Sequence, residues 1–338
     1  MKKVLVAAAL MVCAATTYAS NFRGGDQVYI PIAGHQRGQS GVFVSDVYLA
    51  NLTSDTVVIS VIYQPLNTPT NPAIPATIGQ EFKDVITLQP FERREFKDFF
   101  VNTLNITTGF GQLILNGCKQ GTNCGPTGQD NDGNSENYRD ISAESRIYQI
   151  SDAGPQAGTT GQLFSGIPWY NFVSSNQAAH NLDKVFITGV THTGTAPGTF
   201  RTNIGLVNAS QYSSTVLGVT LYKGSLNTAG KVAEALVPLS PLENVQRNFT
   251  SLFPNAPLGE NYFVVVDQRS AQPLPTGVPQ TCDNGCPAFL AYGSALDNTT
   301  GDATTLEPQY LSALSTAAIT VIYPSQLGKQ PVRRAVRH

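Results

Sequence analysis

The chain has 338 residues, a formal net charge of −2, and charged side chains at only 13% of its positions. This length is sufficient for two domains with ordinary hydrophobic cores. The weak and nearly balanced charge excludes a chain built as a whole to bind nucleic acid or an acidic membrane surface.

The N-terminal segment has the three parts of a secretory signal peptide. Residues 2–3 are lysines, residues 4–15 are apolar, and residues 17–19 (TYA) form a small-x-small cleavage site. The apolar run is too short to span a bilayer. The sequence therefore predicts a signal peptide at 1–19, a secreted protein (periplasmic, cell-surface or extracellular) and no transmembrane segment.

One segment of the chain occurs twice. Residues 28–51 (VYIPIAGHQRGQSGVFVSDVYLAN) align without a gap with residues 185–208 (VFITGVTHTGTAPGTFRTNIGLVN), at an offset of 157. A repeat this long predicts two whole domains from an internal duplication rather than a solenoid. Within this segment the identical pairs are Val28/Val185, Ile30/Ile187, His35/His192, Gly41/Gly198, Phe43/Phe200, Leu49/Leu206 and Asn51/Asn208. Beyond it, the match continues at Thr56-Val57/Thr215-Val216 and at Leu88-Gln89-Pro90/Leu239-Ser240-Pro241.

Short β-branched and aromatic runs recur along both halves, separated by turns rich in Gly, Pro, Ser, Thr and Asn. This pattern is typical of an antiparallel sandwich. Helical signal is confined to one short turn in each of 91–105 and 242–253, and to a linker or short helix at 175–184. The predicted fold is all-β, with two tandem antiparallel Ig-like β-sandwich domains at 24–174 and 184–310. The runs lie at 42–49, 56–63, 84–88, 111–115, 141–150, 199–207, 216–222, 262–267 and 289–296.

The C-terminal residues divide into two parts. Residues 311–323 contain a further β-branched run and are predicted to form an extra strand, which completes a sheet of either domain or offers an edge to a neighbouring molecule. Residues 324–338 are predicted to be a basic, solvated tail. A contact of this tail with an anionic cell surface is the alternative.

Four cysteines follow the signal peptide in two close pairs, Cys118/Cys124 and Cys282/Cys286. In an oxidising compartment such pairs are predicted to form two local disulfides. A zinc site made of four thiolates is the alternative, and it would require the two domains to bring these loops together.

One loop has the side chains of a cation site. Asp130, Asp132 and Asn134 alternate along a glycine-containing segment, and Glu136 follows. Calcium prefers such an oxygen cluster on a flexible turn, although the spacing departs from that of an EF-hand. The same residue types also make solvated hairpin tips. A calcium site and a plain turn both stay open, and no other cofactor is predicted.

Two further sets of residues are candidates for function. Tyr148, Trp169 and Tyr170 could form a sugar-binding platform, and the segment 168–172 could instead pack between the domains. His35 and His192 occupy equivalent loop positions, and we expect both to be hydrogen-bonded to backbone in equivalent environments. No nucleophile elbow, zinc-protease helix, phosphate loop or dinucleotide fingerprint occurs in the sequence.

The repeated motifs resemble a class of secreted bacterial tandem β-sandwich repeat proteins, most of which are uncharacterised. The resemblance rests on F-x-S/T-D/N-hydrophobic-x-L-x-N near each domain start, on L-x-P in mid-domain, and on AYGSALDNTTGD at 291–302. The first domain departs from it at 143–148 (AESRIY). The resemblance covers nearly the whole chain after the signal peptide. It implies the fold and export, and it brings no catalytic residues.

These observations favour an exported, non-catalytic structural or adhesive protein of the bacterial surface or extracellular matrix. Its expected partners are surface or matrix components, or other copies of itself, and it is not expected to be an enzyme. Two alternatives stay open. One is a carbohydrate- or calcium-dependent binding module, and the other is a hydrolase whose site is assembled from residues distant in sequence.

Overall fold

The computed structural model describes residues 24–38, 41–67, 80–122, 124, 137–154, 160–169, 172, 182–210, 213–271 and 288–312. In the first half of the chain the strands are β1 (Gln27–Arg37), β2 (Gly41–Asn51), β3 (Val57–Pro65), β4 (Gln80–Leu88), β5 (Arg93–Phe96), β6 (Gly109–Lys119), β7 (Ile141–Ser151), β8 (Gly161–Ser165) and β9 (Ile167–Pro168). In the second half they are β10 (Leu182–His192), β11 (Phe200–Asn208), β12 (Thr215–Lys223), β13 (Lys231–Leu239), β14 (Asn244–Asn248), β15 (Gly259–Ala271), β16 (Phe289–Asp297), β17 (Ala303–Leu306) and β18 (Gln309–Ser312).

The fold is all-β with antiparallel sheets, as predicted. The helical turns α1 (Phe99–Asn102) and α2 (Phe249–Leu252) lie inside the two segments where the sequence predicts one short turn each. Both turns bury phenylalanines in the cores. No helix among the described residues is long and apolar enough to cross a membrane.

The strands of each half form a large and a small sheet. In the first half, large sheet 1 has the order β4-β3-β6-β1-β9 and small sheet 1 the order β5-β2-β7-β8, with a short β1–β2 pairing joining them. In the second half, large sheet 2 has the order β13-β12-β15-β10-β18 and small sheet 2 the order β14-β11-β16-β17. The two halves therefore use their strands in the same order.

The register is also the same at matching positions, and it places residues 57–63 opposite residues 215–221, one position away from the pairing of Thr56-Val57 with Thr215-Val216 that the sequence alignment predicts. Val28 of β1 pairs with Leu115, which pairs with Val61 on its other side. At the corresponding points of large sheet 2, Val185 pairs with Val266, which pairs with Val219. Each position of one half can therefore be assigned an equivalent position in the other half.

Each half has its own apolar core between its two sheets, because alternate residues of every strand point inward. In the first half this core includes Val28, Val61 and Leu115, and α1 closes it with Phe99 and Phe100. The second core has the corresponding valines of β10, β12 and β15, and α2 supplies Phe249 and Leu252.

The repeated asparagine holds the same two turns together in each half. Asn51 Nδ2 donates to Asp55 O at 2.7 Å and to Gln89 O at 2.9 Å, and Thr53 N donates to Asn51 Oδ1. Its amide thus ties the β2–β3 turn to the L-x-P turn. This structural role explains why asparagine stands at this point of both copies.

In the second half, Asn208 makes the same contacts. Its Nδ2 donates to Ser213 O at 2.7 Å and to Ser240 O at 2.9 Å, and its Oδ1 accepts from Ser210 N at 3.0 Å. The residue after the L-x-P proline has a left-handed backbone in both halves, with φ 56° at Phe91 and 54° at Leu242.

A third apolar cluster lies between the halves. The outer face of large sheet 1 packs on the outer face of small sheet 2, and polar contacts such as Asn244 Nδ2 to Pro31 O at 2.8 Å support this packing. The four sheets therefore follow one another in the order small 1, large 1, small 2, large 2, and the edge strand β8 of small sheet 1 also contacts β17 of small sheet 2, with Thr305 Oγ1 donating to Leu163 O at 2.6 Å. The buried members of the cluster are Tyr29, Ile32, Ile62, Ile114, Ile147, Phe164, Ile167 and Phe172 from the first half, and Val207, Ala209, Leu242, Ala288, Leu290 and Tyr292 from the second.

Two segments differ from the sequence-based expectation at their edges. β10 begins at Leu182, inside the segment assigned to a linker or helix at 175–184. The C-terminal strand β18 begins at Gln309, two residues before the predicted strand at 311–323, and it pairs with β10 at the edge of large sheet 2. The signal peptide 1–19, residues 313–323 and the tail 324–338 lie outside the described residues.

Candidate binding surfaces

Most of the predicted site residues fall outside the described part of the chain. These are the calcium candidates Asp130, Asp132, Asn134 and Glu136, the aromatic candidate Tyr170, and the cysteines Cys282 and Cys286. Among the residues that the structure describes, no group of three or more His, Cys, Asp or Glu side chains could hold a metal ion.

Trp169 lies partly buried against the cluster between the halves. Its indole Nε1 donates to Asp26 Oδ1 at 2.8 Å. Both contacts belong to the packing of the chain on itself. A ligand-binding role for Trp169 and Tyr170 stays a prediction.

The first cysteine pair has a geometry compatible with a disulfide. The Cα atoms of Cys118 and Cys124 are 6.0 Å apart, within the range that a disulfide allows. The Tyr138 hydroxyl donates to the Cys124 carbonyl and so holds this loop from its other side. We expect both predicted pairs, Cys118–Cys124 and Cys282–Cys286, in peptides mapped without reductant, and cross-linked peptides joining the two halves would contradict this prediction.

The two equivalent histidines have different environments, so the expectation of equivalent backbone hydrogen bonds is wrong. His35 Nδ1 hydrogen-bonds to the Asp98 carboxylate at 2.9 Å. His192 is only 5% exposed and stacks on the Phe249 ring, with centroids 4.7 Å apart. The two histidine environments differ because a different residue precedes each helical turn. Asp98 turns to His35, whereas Asn248 accepts from Ser251 N at 2.7 Å and caps α2.

Burial gives His192 an effect on the pH dependence of stability. Desolvation lowers the pKa of the His192 imidazole. The contribution of the neutral His192 side chain to the free energy of unfolding is therefore fully present above the ordinary pKa of 6.5, and it is lost as the pH falls below that value. We expect the Tm of a His192→Phe variant, which keeps a ring on Phe249, to fall less between about pH 7 and pH 5 than that of the wild type. Equal falls in Tm would contradict this prediction.

The outer face of small sheet 1 carries a set of charged and aromatic side chains, here called the charged ladder. At its centre Asp46 is fully buried and accepts from Lys97 Nζ at 2.9 Å, from Asp98 N at 3.0 Å and from the Tyr148 hydroxyl at 3.2 Å. The ladder is therefore ordered by its own contacts. Its members are Asp46, Tyr48, Arg93, Glu95, Lys97, Glu144, Arg146 and Tyr148.

Three members of the ladder have shifted pKa values that keep Lys97 and Glu95 charged and Tyr148 neutral at neutral pH. Hydrogen bonds to Glu95 and then to Asp46 raise the pKa of the Lys97 ammonium. The Lys97 hydrogen bond, followed by that of Tyr48, lowers the pKa of the Glu95 carboxyl. Burial, and next the Asp46 charge, raises the pKa of the Tyr148 hydroxyl. The face thus presents ammonium, carboxylate and neutral phenol groups together.

The arginines of the ladder lie over its tyrosines. The Arg146 guanidinium carbon is 4.7 Å from the centroid of the Tyr148 ring, and that of Arg93 is 5.7 Å from the Tyr48 ring. Both are within the range of cation–π attraction. A face rich in arginine and tyrosine is typical of surfaces that bind other macromolecules.

The equivalent face in the second half is quite different. The positions of Tyr48 and Glu144 correspond to Gly205 and Tyr292, which are paired across β11 and β16. A Cβ at Gly205 would collide with the Tyr292 ring, and that ring packs edge-on against Phe164 at 5.4 Å. Small sheet 2 is therefore built for burial. Because the same fold forms without a ladder, the ladder is a candidate for function.

A second candidate surface is the outer face of large sheet 2. Phe186, Phe263 and Tyr222 form a partly exposed aromatic row, with centroid distances of 5.1 Å and 5.5 Å. The Tyr222 and Phe263 rings are stacked with an interplanar angle of 6°. Beside the row, Arg269 bridges Glu234 at 2.5 Å and Asp267 at 3.0 Å. These aromatic residues are not among the sites predicted from the sequence, although they alternate along their strands with buried valines and leucines, and this alternation indicates an outward-facing row.

Comparisons with known proteins add little to this description. No family model and no curated protein matches the chain. The chain is similar to the solved structure of Thermotoga maritima 1070 at 12% identity and a TM-score of 0.26, over 38% of this chain and 91% of that chain. It is also similar to the BSP domain of a biofilm-associated protein at 10% identity and a TM-score of 0.21, over 87% of this chain and 60% of that chain. At these TM-scores neither likeness supports a conclusion about fold or function.

Proposed function

We propose that this chain is an exported, non-catalytic structural or adhesive protein of the bacterial surface or extracellular matrix. Its two halves are Ig-like β-sandwich domains at 24–174 and 184–310 that arose by duplication, as in the secreted tandem repeat proteins that its motifs resemble. The matching strand order and register of the halves support the duplication. The N-terminal signal sequence and the close cysteine pairs support export.

The observation that carries the adhesive function is the charged ladder. It covers one face of three neighbouring strands, and it has no counterpart in the second half. Its side chains are held by one another around the buried Asp46 carboxylate, so little conformational entropy is lost when a partner binds. A preorganised sheet face that spans three strands fits a polymer or a protein better than it fits a small molecule, which prefers a concave pocket.

Binding to the native surface tests this function. The mature protein is mixed with insoluble wall and matrix preparations of the producing bacterium, and the bound fraction is measured. We expect binding to weaken with salt, because the ladder attracts its partner through charge, and to fall about tenfold or more in a Tyr48→Ala, Arg146→Ala double variant.

The matched control is Arg37→Ala, which removes an exposed ion pair with Asp152 away from the ladder. It should bind as the wild type does. A wild-type protein that is not retained by either preparation would overturn the proposed function. Equal retention of the double variant would overturn the assignment of the ladder as the binding face.

The aromatic row favours a carbohydrate-binding module as a second candidate function. Sugar rings stack on exposed aromatic faces, and the parallel Tyr222 and Phe263 rings offer such a face. Titration with soluble polysaccharides tests this function. Binding that is lost in Tyr222→Ala and unchanged in the ladder variant would favour it, and dependence on added calcium would implicate the 130–136 loop.

A further inference from the structure

We propose that copies of this chain associate head to tail, with large sheet 2 of one copy docking on small sheet 1 of the next. The partner is thus a second copy of the same chain. This inference deepens the proposed structural function and rests on it. It follows from three features of the stack of four sheets.

The first feature is that the chain already makes this type of contact internally. The outer face of large sheet 1 is covered by the outer face of small sheet 2. Because the halves have the same strand order, the outer face of small sheet 1 corresponds to that of small sheet 2, and the outer face of large sheet 2 corresponds to that of large sheet 1. These two corresponding faces lie at the two ends of the stack and take no part in the internal contact. A contact between two different faces of identical units does not close on itself, so it can be repeated indefinitely.

The second feature is a pair of exposed apolar side chains beside small sheet 1. Phe91 is 70% exposed and Leu52 is 45% exposed. Their equivalents in the second half, Leu242 and Ala209, are each 1% exposed because large sheet 1 covers them. Phe91 N donates to Thr53 O just as Leu242 N donates to Ser210 O, so the side chains are presented on the same turn. Phe91 and Leu52 therefore lie where an interface is already formed within the chain.

The third feature is the chemistry of the face that would receive them. Phe186, Phe263 and Tyr222 on large sheet 2 occupy the positions of Tyr29, Gln112 and Gln64 on large sheet 1, all of which are buried. Tyr29 belongs to the cluster between the halves, so the aromatic row includes a position that takes part in the internal contact.

The opposing charged ladder is complementary to this row. Arg93 has the position of Asn244, the residue that reaches Pro31 O across the internal interface. Docking brings Arg93 and Arg146 towards aromatic rings and towards the carboxylates of Glu234 and Asp267, and both contacts favour association. Because these faces are more polar than the internal interface, the association is reversible and depends on concentration.

Sedimentation velocity on the mature protein over a wide concentration range tests the inference. We expect the wild type to grow into a series of oligomers, and Phe91→Asp and Tyr222→Asp each to raise the dissociation constant about tenfold or more. Tyr222→Ala is the milder change at the same position, and the Tm of every variant is measured to confirm folding. Phe200→Asp, at an apolar residue that is 42% exposed on β11 of small sheet 2, which belongs to neither docking face, is the control and should assemble as the wild type does.

A mixture of the two variants gives the sharpest result. Phe91→Asp leaves large sheet 2 intact, and Tyr222→Asp leaves small sheet 1 intact. The mixture should therefore form a one-to-one dimer and stop, although each variant alone stays monomeric. A wild type that is monomeric at all concentrations, variants that assemble normally, or a mixture that grows beyond dimers would each overturn the inference. Retention of a monomeric wild type on wall or matrix preparations would overturn it while leaving the proposed function in place.

Discussion

Replacing Leu242 with alanine is expected to lower the free energy of unfolding by about 2–5 kcal/mol, the usual loss for a leucine removed from a packed core. Leu242 is 1% exposed and packs into the cluster between the halves. Its equivalent Phe91 has the same left-handed backbone but is 70% exposed. Phe91→Ala should therefore change the free energy of unfolding by no more than about 0.5 kcal/mol.

Urea denaturation followed by fluorescence measures both variants. The chain has a single tryptophan, and Trp169 packs against the same cluster, so its emission reports on this region directly. The comparison is well matched because both substitutions remove an apolar side chain from the equivalent turn, one in each half. Equal losses in the two variants, or no loss in Leu242→Ala, would mean that the halves do not stabilise each other.

Replacing Asn208 with alanine is expected to cost about 2–4 kcal/mol. The amide is fully buried, and it satisfies Ser213 O, Ser240 O and Ser210 N together. Its removal takes one hydrogen bond from each of these backbone groups, and a buried group left unsatisfied costs about 1–3 kcal/mol less any relaxation of the turns. Asn208→Asp keeps the acceptor but loses the donor, so it should recover only part of the loss.

Thermal and urea unfolding of Asn102→Ala provide the control. Asn102 makes one exposed hydrogen bond, from Nδ2 to Lys97 O, so its replacement should cost about 0.5 kcal/mol or less. If Asn208→Ala were no more destabilising than Asn102→Ala, the repeated asparagine would not be the structural tie described above.

Much of the fold could be predicted from the sequence because its central strands are β-branched. The runs at 56–63 and 262–267 fall on β3 and β15, which are interior strands of the two large sheets. The sequence did not predict β13 (Lys231–Leu239), where alanine and glutamate have low strand propensity. Pairing with β12 along its whole length outweighs that propensity.

The candidate surfaces were harder to predict. Both faces of the central strands of large sheet 1 are apolar, with Tyr29, Ile62 and Ile114 on one face and valines and leucines on the other. The alternation of apolar and polar residues that separates the inner face of a strand from its outer face is therefore lost. The charged ladder gathers residues from β2, β5 and β7, which are up to a hundred residues apart in the chain. Only the register of the strands brings them together.

The order of the four stacked sheets also has a consequence for biosynthesis. All strands of large sheet 1 are complete at Pro168, before any strand of the second half has been made. Until β11 and β16 fold, the row of Ile62, Ile114, Tyr29 and Ile167 faces water, and such surfaces recruit chaperones or aggregate. The second half, which is synthesised later, therefore covers the apolar outer face of large sheet 1. A nonsense mutation or a proteolytic cut between the halves would therefore release a first half whose apolar face is exposed and prone to aggregate, and not an independent small protein.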